Sequence, residues 1–287
     1  MNANDIQTAA VLGAGTMGHG IAQVLAQCGI ETRLFDVAEA AVENGLSKLR
    51  ANLDKGVARG KVTEAERDAA NSRLSGTTDM DAALAGVQLV IEAVPERMDL
   101  KTSIFKNLGD RTGPDVLLAT NTSSLPITEI AAAAAHPERV VGMHFFNPVH
   151  IMKLVEVVRA GSSSEEAVTC ALDLARRMGK QPIDVRDAPG FASSRLGIAI
   201  GMEAIRMLEE GVASAADIDK AMTLGYGFPM GPLKLTDLVG LDVRLSIAEY
   251  LSGALGERFT PPQLLKDKVA RGELGKKSGQ GFYDWNE

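Results

Sequence analysis

His144 and Glu156 are the two residues of this chain whose types and spacing best suit proton transfer. His144 ends an apolar run, Val140-Val141-Gly142-Met143, that reads as a strand, and open α/β sheets collect ligands at the carboxyl ends of such strands. The chain then turns at Phe146-Asn147-Pro148 and resumes as a second apolar run, in which alternation puts Glu156 on the same face as Leu154 and Val158. A carboxylate among apolar neighbours is costly without a partner. If the two strands lie together, Glu156 would hold one ring nitrogen of His144, fix its tautomer and leave the other nitrogen as general base. The plainer alternative puts Glu156 at a wet edge and leaves His144 a satisfied core histidine. The remaining histidines suit this chemistry less: His19 follows a glycine loop, His136 precedes Pro137 in a surface turn, and His150 lies in a loop.

A second constellation suits a dinucleotide. Val11-Leu12-Gly13-Ala14-Gly15-Thr16-Met17-Gly18 is an apolar run that breaks into three glycines at G-x-G-x-x-G spacing. Ile21, Val24, Leu25 and Cys28 follow at helical spacing, so the glycines fall at a strand-to-helix turn, where free N–H groups and the helix dipole favour phosphate. Glu31-Thr32-Arg33-Leu34-Phe35 reads as the next strand and ends in Asp36, about 20 residues past the glycines, where a ribose-binding acid is expected. Its carboxylate would accept from a ribose diol and repel a 2′-phosphate, which favours NAD over NADP, although Arg33 lies nearby. A helix N-cap is the alternative role for Asp36. Asn121-Thr122-Ser123-Ser124 closes a further strand, and its hydroxyls could hold a substrate oxygen or cap the helix that follows.

These residues need a scaffold of alternating strands and helices. Strand candidates are residues 8–12, 32–35, 89–93, 116–119, 140–145 and 154–158, separated by helical patterns, which predicts a Rossmann-type doubly wound parallel sheet. Residues 39–74 form an insertion rich in helix formers, interrupted at Gly56 and Gly60, and read as a helical hairpin. It carries Lys48, Arg50, Lys55, Arg59 and Lys61 against Asp54, a reversal of sign that suits a polyphosphate tail or an ordinary solvated face. From about residue 187, after Arg186-Asp187-Ala188-Pro189-Gly190, helical spacing dominates. This predicts domains at 1–186 and 187–287, the second all-helical and rich enough in apolar residues to suggest a homodimer.

With a net charge of −7, no basic tail and 4% aromatic residues, the chain is a poor partner for nucleic acid. No apolar run reaches the roughly 20 residues of a membrane span, and the polar start does not resemble a signal peptide. Cys28 and Cys170 occupy apolar helical positions, which suits a reducing cytoplasm and argues against a disulfide or metal pair. No metal is expected.

Several segments in order resemble the L-3-hydroxyacyl-CoA dehydrogenase family, in its short single-activity bacterial form, along essentially the whole chain. They are the glycine loop, Glu92-Ala93-Val94-Pro95-Glu96, Asn121-Thr122-Ser123-Ser124, His144-Phe145-Phe146-Asn147-Pro148, Lys153-Leu154-Val155-Glu156-Val157, Asp187-Ala188-Pro189-Gly190-Phe191, Gly227-Phe228-Pro229-Met230-Gly231-Pro232 and Gly279-Gln280-Gly281-Phe282-Tyr283-Asp284. The resemblance implies NAD-dependent oxidation of a short (3S)-3-hydroxyacyl-CoA, such as 3-hydroxybutyryl-CoA, to the 3-oxoacyl-CoA. In that reading His144 takes the hydroxyl proton, Glu156 orients it, and Ser123 bonds the reacting oxygen with Asn147 near. Gly13, Gly15, Thr16, Met17, Gly18, Asp36, Glu96, Lys101, Asn121 and Ser123 would hold NAD, and the hairpin, with Lys55 and Lys61, the CoA moiety. One position departs from the family's pattern: Ser194 replaces an Asn that touches substrate, and a hydroxyl offers one donor where an amide offers two. A sugar-acid dehydrogenase of the L-gulonate 3-dehydrogenase kind and a crystallin-like structural role are the alternatives. The basic hairpin speaks against the first, and the joint presence of Ser123, His144, Asn147 and Glu156 against the second.

Overall fold

Short apolar runs alternate with amphipathic helices through most of the chain's first two thirds. The computed structural model describes residues 1–286, and in it these runs become one eight-stranded sheet. The elements are β1 (Thr8–Leu12), α1 (Thr16–Gln27), β2 (Glu31–Phe35), α2 (Glu39–Ala58), α3 (Glu64–Ser72), β3 (Leu74–Thr77), α4 (Met80–Leu84), β4 (Leu89–Glu92), α5 (Met98–Arg111), β5 (Leu117–Thr120), α6 (Ile127–Ala132), β6 (Val140–Phe145), β7 (Leu154–Arg159), α7 (Glu165–Arg177) and β8 (Gln181–Arg186). The sheet order is β3-β2-β1-β4-β5-β6-β7-β8. The core of this unit is built from β1, β4 and β6, whose residues are almost all buried, and from the inward face of α1.

The sheet is not wholly parallel, a correction to the sequence-based expectation. β1 to β6 run parallel, whereas β7 pairs antiparallel with β6, and β8 pairs parallel with β7. The reason is length: only residues 146–153 join β6 to β7, fewer than the dozen or so that a parallel crossover needs. Two strands had no sequence signal. β3 (Leu-Ser-Gly-Thr) is short and half exposed, and β8 is mostly polar because it lies at an open edge. The expected hairpin is α2 and α3, but Gly56 stays inside α2, and the turn falls at Gly60, with φ +62°. Thr63 and Glu66 start α3 with a reciprocal capping box.

The chain divides into two units, Met1–Ala188 and one beginning at Pro189, two residues past the expected boundary. The second unit is helical: α8 (Ser193–Glu209), α9 (Ala215–Lys220), α10 (Pro232–Val239), α11 (Leu241–Leu255) and α12 (Gln263–Ala270) around an apolar core of its own. Its tail folds back because buried Asp237 accepts from the Phe282 and Tyr283 amides, both at 2.9 Å, and from Trp285 Nε1 at 2.8 Å. Among the described residues no helix is long and apolar enough to cross a membrane.

Candidate active site

The antiparallel register of β6 and β7 places His144 directly opposite Glu156, as a cross-strand pair on one face of the sheet. His144 Nδ1 lies 2.7 Å from Glu156 Oε2. Glu156 is fully buried, while the His144 side chain keeps about 10% of its surface at the carboxyl edge of β6. A buried carboxylate on Nδ1 settles the tautomer and orientation of the ring, so proton exchange with a ligand would run through Nε2. Phe146 tilts against the imidazole, with ring centroids 4.4 Å apart. Asn147 follows in the exposed turn.

On the other side of β5 lies a second polar set. Glu96 Oε1 accepts from Thr122 Oγ1 at 2.5 Å, from the Ser123 amide at 2.8 Å and from Ser123 Oγ at 3.1 Å. Thr122 Oγ1 in turn accepts from the amides of Ser124 and Leu125, so it shapes the turn instead of capping α6, whose N-cap is Pro126. Asn121 Oδ1 accepts from the Phe145 amide at 2.9 Å, joining this loop to the strand end that carries His144.

Lys101, expected on the cofactor side, is fully buried. Its ammonium donates to Glu92 Oε1 at 2.7 Å and reaches Glu96 Oε2 at 3.5 Å, which links it to the polar set around Ser123. Glu92 was not singled out in the sequence beyond its place in Glu-Ala-Val-Pro-Glu. It also accepts from the Val94 amide at 2.7 Å and from Thr120 Oγ1 at 2.6 Å. A lone acid ending an apolar strand is the signal that could have marked it.

The glycine loop fits a dinucleotide phosphate. A Cβ at Gly13, where φ is +99°, would meet Ala93 O at 2.6 Å, and one at Gly18 would meet Gly13 O at 1.7 Å, so the turn and the helix packing both require glycine. At Gly15 nothing lies within 4 Å of an added Cβ, and α1 begins there without a side-chain cap, so a cradle with open amides faces outward. Asp36 Oδ2 accepts from the Ala14 amide at 2.9 Å, which fixes the acid at the rim of the loop. Arg33 is turned elsewhere, donating to the carbonyls of Ala83 and Ala85. Thr16 and Met17 open α1. On the hairpin Lys48, Arg50, Lys55, Arg59 and Lys61 are all exposed, and the nearby acid Asp54 pairs with Arg67 instead. Ser194 stands in the first turn of α8 in the second unit.

The family model described as 3-hydroxyacyl-CoA dehydrogenase, NAD binding domain, matches residues 8–188, and its C-terminal domain counterpart matches residues 190–285. The chain belongs to the 3-hydroxyacyl-CoA dehydrogenase family. It is thus an oxidoreductase that uses NAD on a 3-hydroxyacyl-CoA, and the family's domain boundary coincides with that between the two units. A probable 3-hydroxybutyryl-CoA dehydrogenase of Bacillus subtilis is 47% identical over 284 residues, 99% of each chain. The crystal structure of (S)-3-hydroxybutyryl-CoA dehydrogenase from Ralstonia eutropha superposes with a TM-score of 0.95 at 39% identity, over 99% of this chain and 100% of that one. A 3-hydroxyadipyl-CoA dehydrogenase of Escherichia coli is 44% identical over 98% of this chain and 59% of its own length.

Proposed function

We propose that this 3-hydroxyacyl-CoA dehydrogenase acts on a short substrate, interconverting (3S)-3-hydroxybutyryl-CoA and acetoacetyl-CoA, with His144 as general base. The observation that carries the assignment of the base is the buried 2.7 Å contact between His144 and Glu156 at the sheet edge. NAD, when bound, supplies the hydride acceptor. His144 takes the proton of the 3-hydroxyl on Nε2, and Glu156 balances the charge that the imidazole acquires. Ser123 and Asn147 orient the reacting oxygen, and Glu96 holds Ser123 in place for that task. Asp36 receives the adenosine ribose, with Gly13 to Gly18 on the pyrophosphate. The exposed cations of α2 and the following turn, Lys55 and Lys61 among them, suit the phosphates of CoA, for which a small sugar acid has no counterpart.

The same reading includes a homodimer formed through the helical unit, where Leu224 and Tyr226 are 83% and 78% exposed and Leu196, Leu235 and Val239 also lie open. Cytoplasmic location is supported by Cys28 and Cys170, both unpaired thiols.

The deciding assay is NADH oxidation by the purified protein with acetoacetyl-CoA, beside NADPH and beside free acetoacetate. Turnover only with the CoA ester and NADH is expected. Activity on free acetoacetate but not on its CoA ester would remove the CoA role of the hairpin and point to a small hydroxy acid such as L-gulonate.

A further inference from the structure

The segment that joins His144 to Glu156 is held in place by a residue with no role in the reaction described so far. Residues 146–153 leave the carboxyl end of β6 and return as β7. Val149, within this segment, is buried against α1: a Cβ at Gly20 would lie 2.9 Å from Val149 Cβ. The Pro148 carbonyl accepts from the amides of Ile151 and Met152, both at 2.9 Å. Two other carbonyls of the segment converge on one ammonium. Lys180 Nζ donates to Val149 O and, at 2.9 Å, to Met152 O, while the Gln181 amide donates to Lys153 O at 2.8 Å.

We propose that Lys180 is a positioning residue of this active site, whose buried ammonium sets the path of residues 146–153 and thereby the placement of Asn147 and the His144 ring. The inference rests on the roles given above to His144 and Asn147. An ammonium is suited to the task because it has three donors and no acceptor, and can satisfy carbonyls that approach from different directions. The placement is otherwise unfavourable. Lys180 is 7% exposed, and the charged and titratable groups that face it are themselves basic: Lys153 at the end of the segment and His150 within it, with His19 of α1 beyond. Burial, then Lys153, pull its ammonium down to about 8.

Arg139 supplies an internal comparison. It too is a buried cation on loop carbonyls, those of Thr112, Gly113 and Val116, but it precedes β6 and so lies at the opposite edge of the sheet from His144. Loss of Arg139 contacts should affect folding alone. Loss of Lys180 contacts should reach the chemistry.

The pH dependence separates the two roles further. The Lys180 ammonium loses its proton near pH 8 in the folded protein and near its ordinary 10.5 when unfolded, so between those values the unfolded chain binds more protons. Its contribution therefore makes the fold more stable as pH rises through that window. The tie to the carbonyls weakens over the same window, because the neutral amine loses charge and a donor. Activity and this group's contribution to stability thus move in opposite directions, which a purely structural lysine would not produce.

The test compares wild type with Lys180→Met, Lys180→Arg and Arg139→Lys in the full-length protein, following acetoacetyl-CoA reduction, thermal melting and amide hydrogen exchange of residues 146–153. For Lys180→Met, kcat is expected to fall by about tenfold to a hundredfold, the range for small misplacements of reacting groups, with KM for NADH little changed. Lys180→Arg should restore most of kcat and move the alkaline limb of the pH profile upward, since a guanidinium does not titrate there. Exchange of the 146–153 amides should rise in Lys180→Met and not in Arg139→Lys. Unchanged exchange in Lys180→Met, or kcat losses that simply track melting temperature across all three variants, would overturn the inference. If wild type and His144→Ala behave as expected and Lys180→Met retains full kcat, this inference fails and the assigned reaction stands. If wild type is inert with acetoacetyl-CoA, the assigned reaction fails and the exchange data still decide whether Lys180 holds the segment.

Discussion

Glu92 and Glu156 are both fully buried carboxylates at the end of the sheet where ligands gather, and each holds a basic group at 2.7 Å, yet the two pairs differ in what they can do. Glu92 is enclosed: its oxygens take Lys101, the Val94 amide and Thr120, and Lys101 itself is fully buried. Glu156 instead faces an imidazole that keeps about 10% of its surface at the edge of the sheet. The same electrostatic device serves architecture when both partners are sealed. It is open to chemistry when the basic partner reaches the ligand side.

The comparison breaks or sharpens by substitution. His144→Ala is expected to lower kcat by about 10²–10⁴-fold, the usual contribution of a general base, in a protein that still folds but melts lower because buried Glu156 loses its partner; a folded mutant with near-normal turnover would make this pair as structural as the other. Lys101→Met should act on folding, costing about 3–5 kcal/mol in denaturant unfolding because a buried carboxylate is left unpaired. Replacing both partners, with Glu92→Leu added, should recover much of that loss, and a double variant as unstable as the single one would show that Thr120 and Val94 dominate the site. Glu156→Gln keeps the shape and removes the charge, so kcat should drop by about a hundredfold with a smaller change in stability. The smallest effect is expected at Ser194→Asn, where kcat/KM should shift a few-fold between acyl lengths, measured across a series of 3-oxoacyl-CoA esters. Identical profiles would mean that Ser194 has no part in acyl choice.

Much of this was legible from residue order. The glycine loop, Asp36 at a strand end and His144 at another follow from backbone demands and from periods of 2 and 3.6, all of which act within a few residues. The direction of β7 escaped that reading: the apolar run is the same for either direction, and only the shortness of residues 146–153, too few for a crossover, marks it as antiparallel. Ser124 and Thr122 as helix caps failed for a related reason: a hydroxyl before a helix can serve any nearby amide, and the turn at Leu125 won.

By itself, the sequence determined the family, through several motifs in order, and the doubly wound plan, and it marked residue types able to move a proton, because these rest on local patterns and on side-chain types. Only the tertiary structure decided which polar groups share a burial site. The register of β6 on β7 set His144 against Glu156, the packing of α5 sealed Lys101 onto Glu92, and the start of β8 brought Lys180 to the carbonyls of Val149 and Met152. The physical reason is that a desolvated charge finds its partner through space, and no spacing along the chain states where the fold will bring that partner.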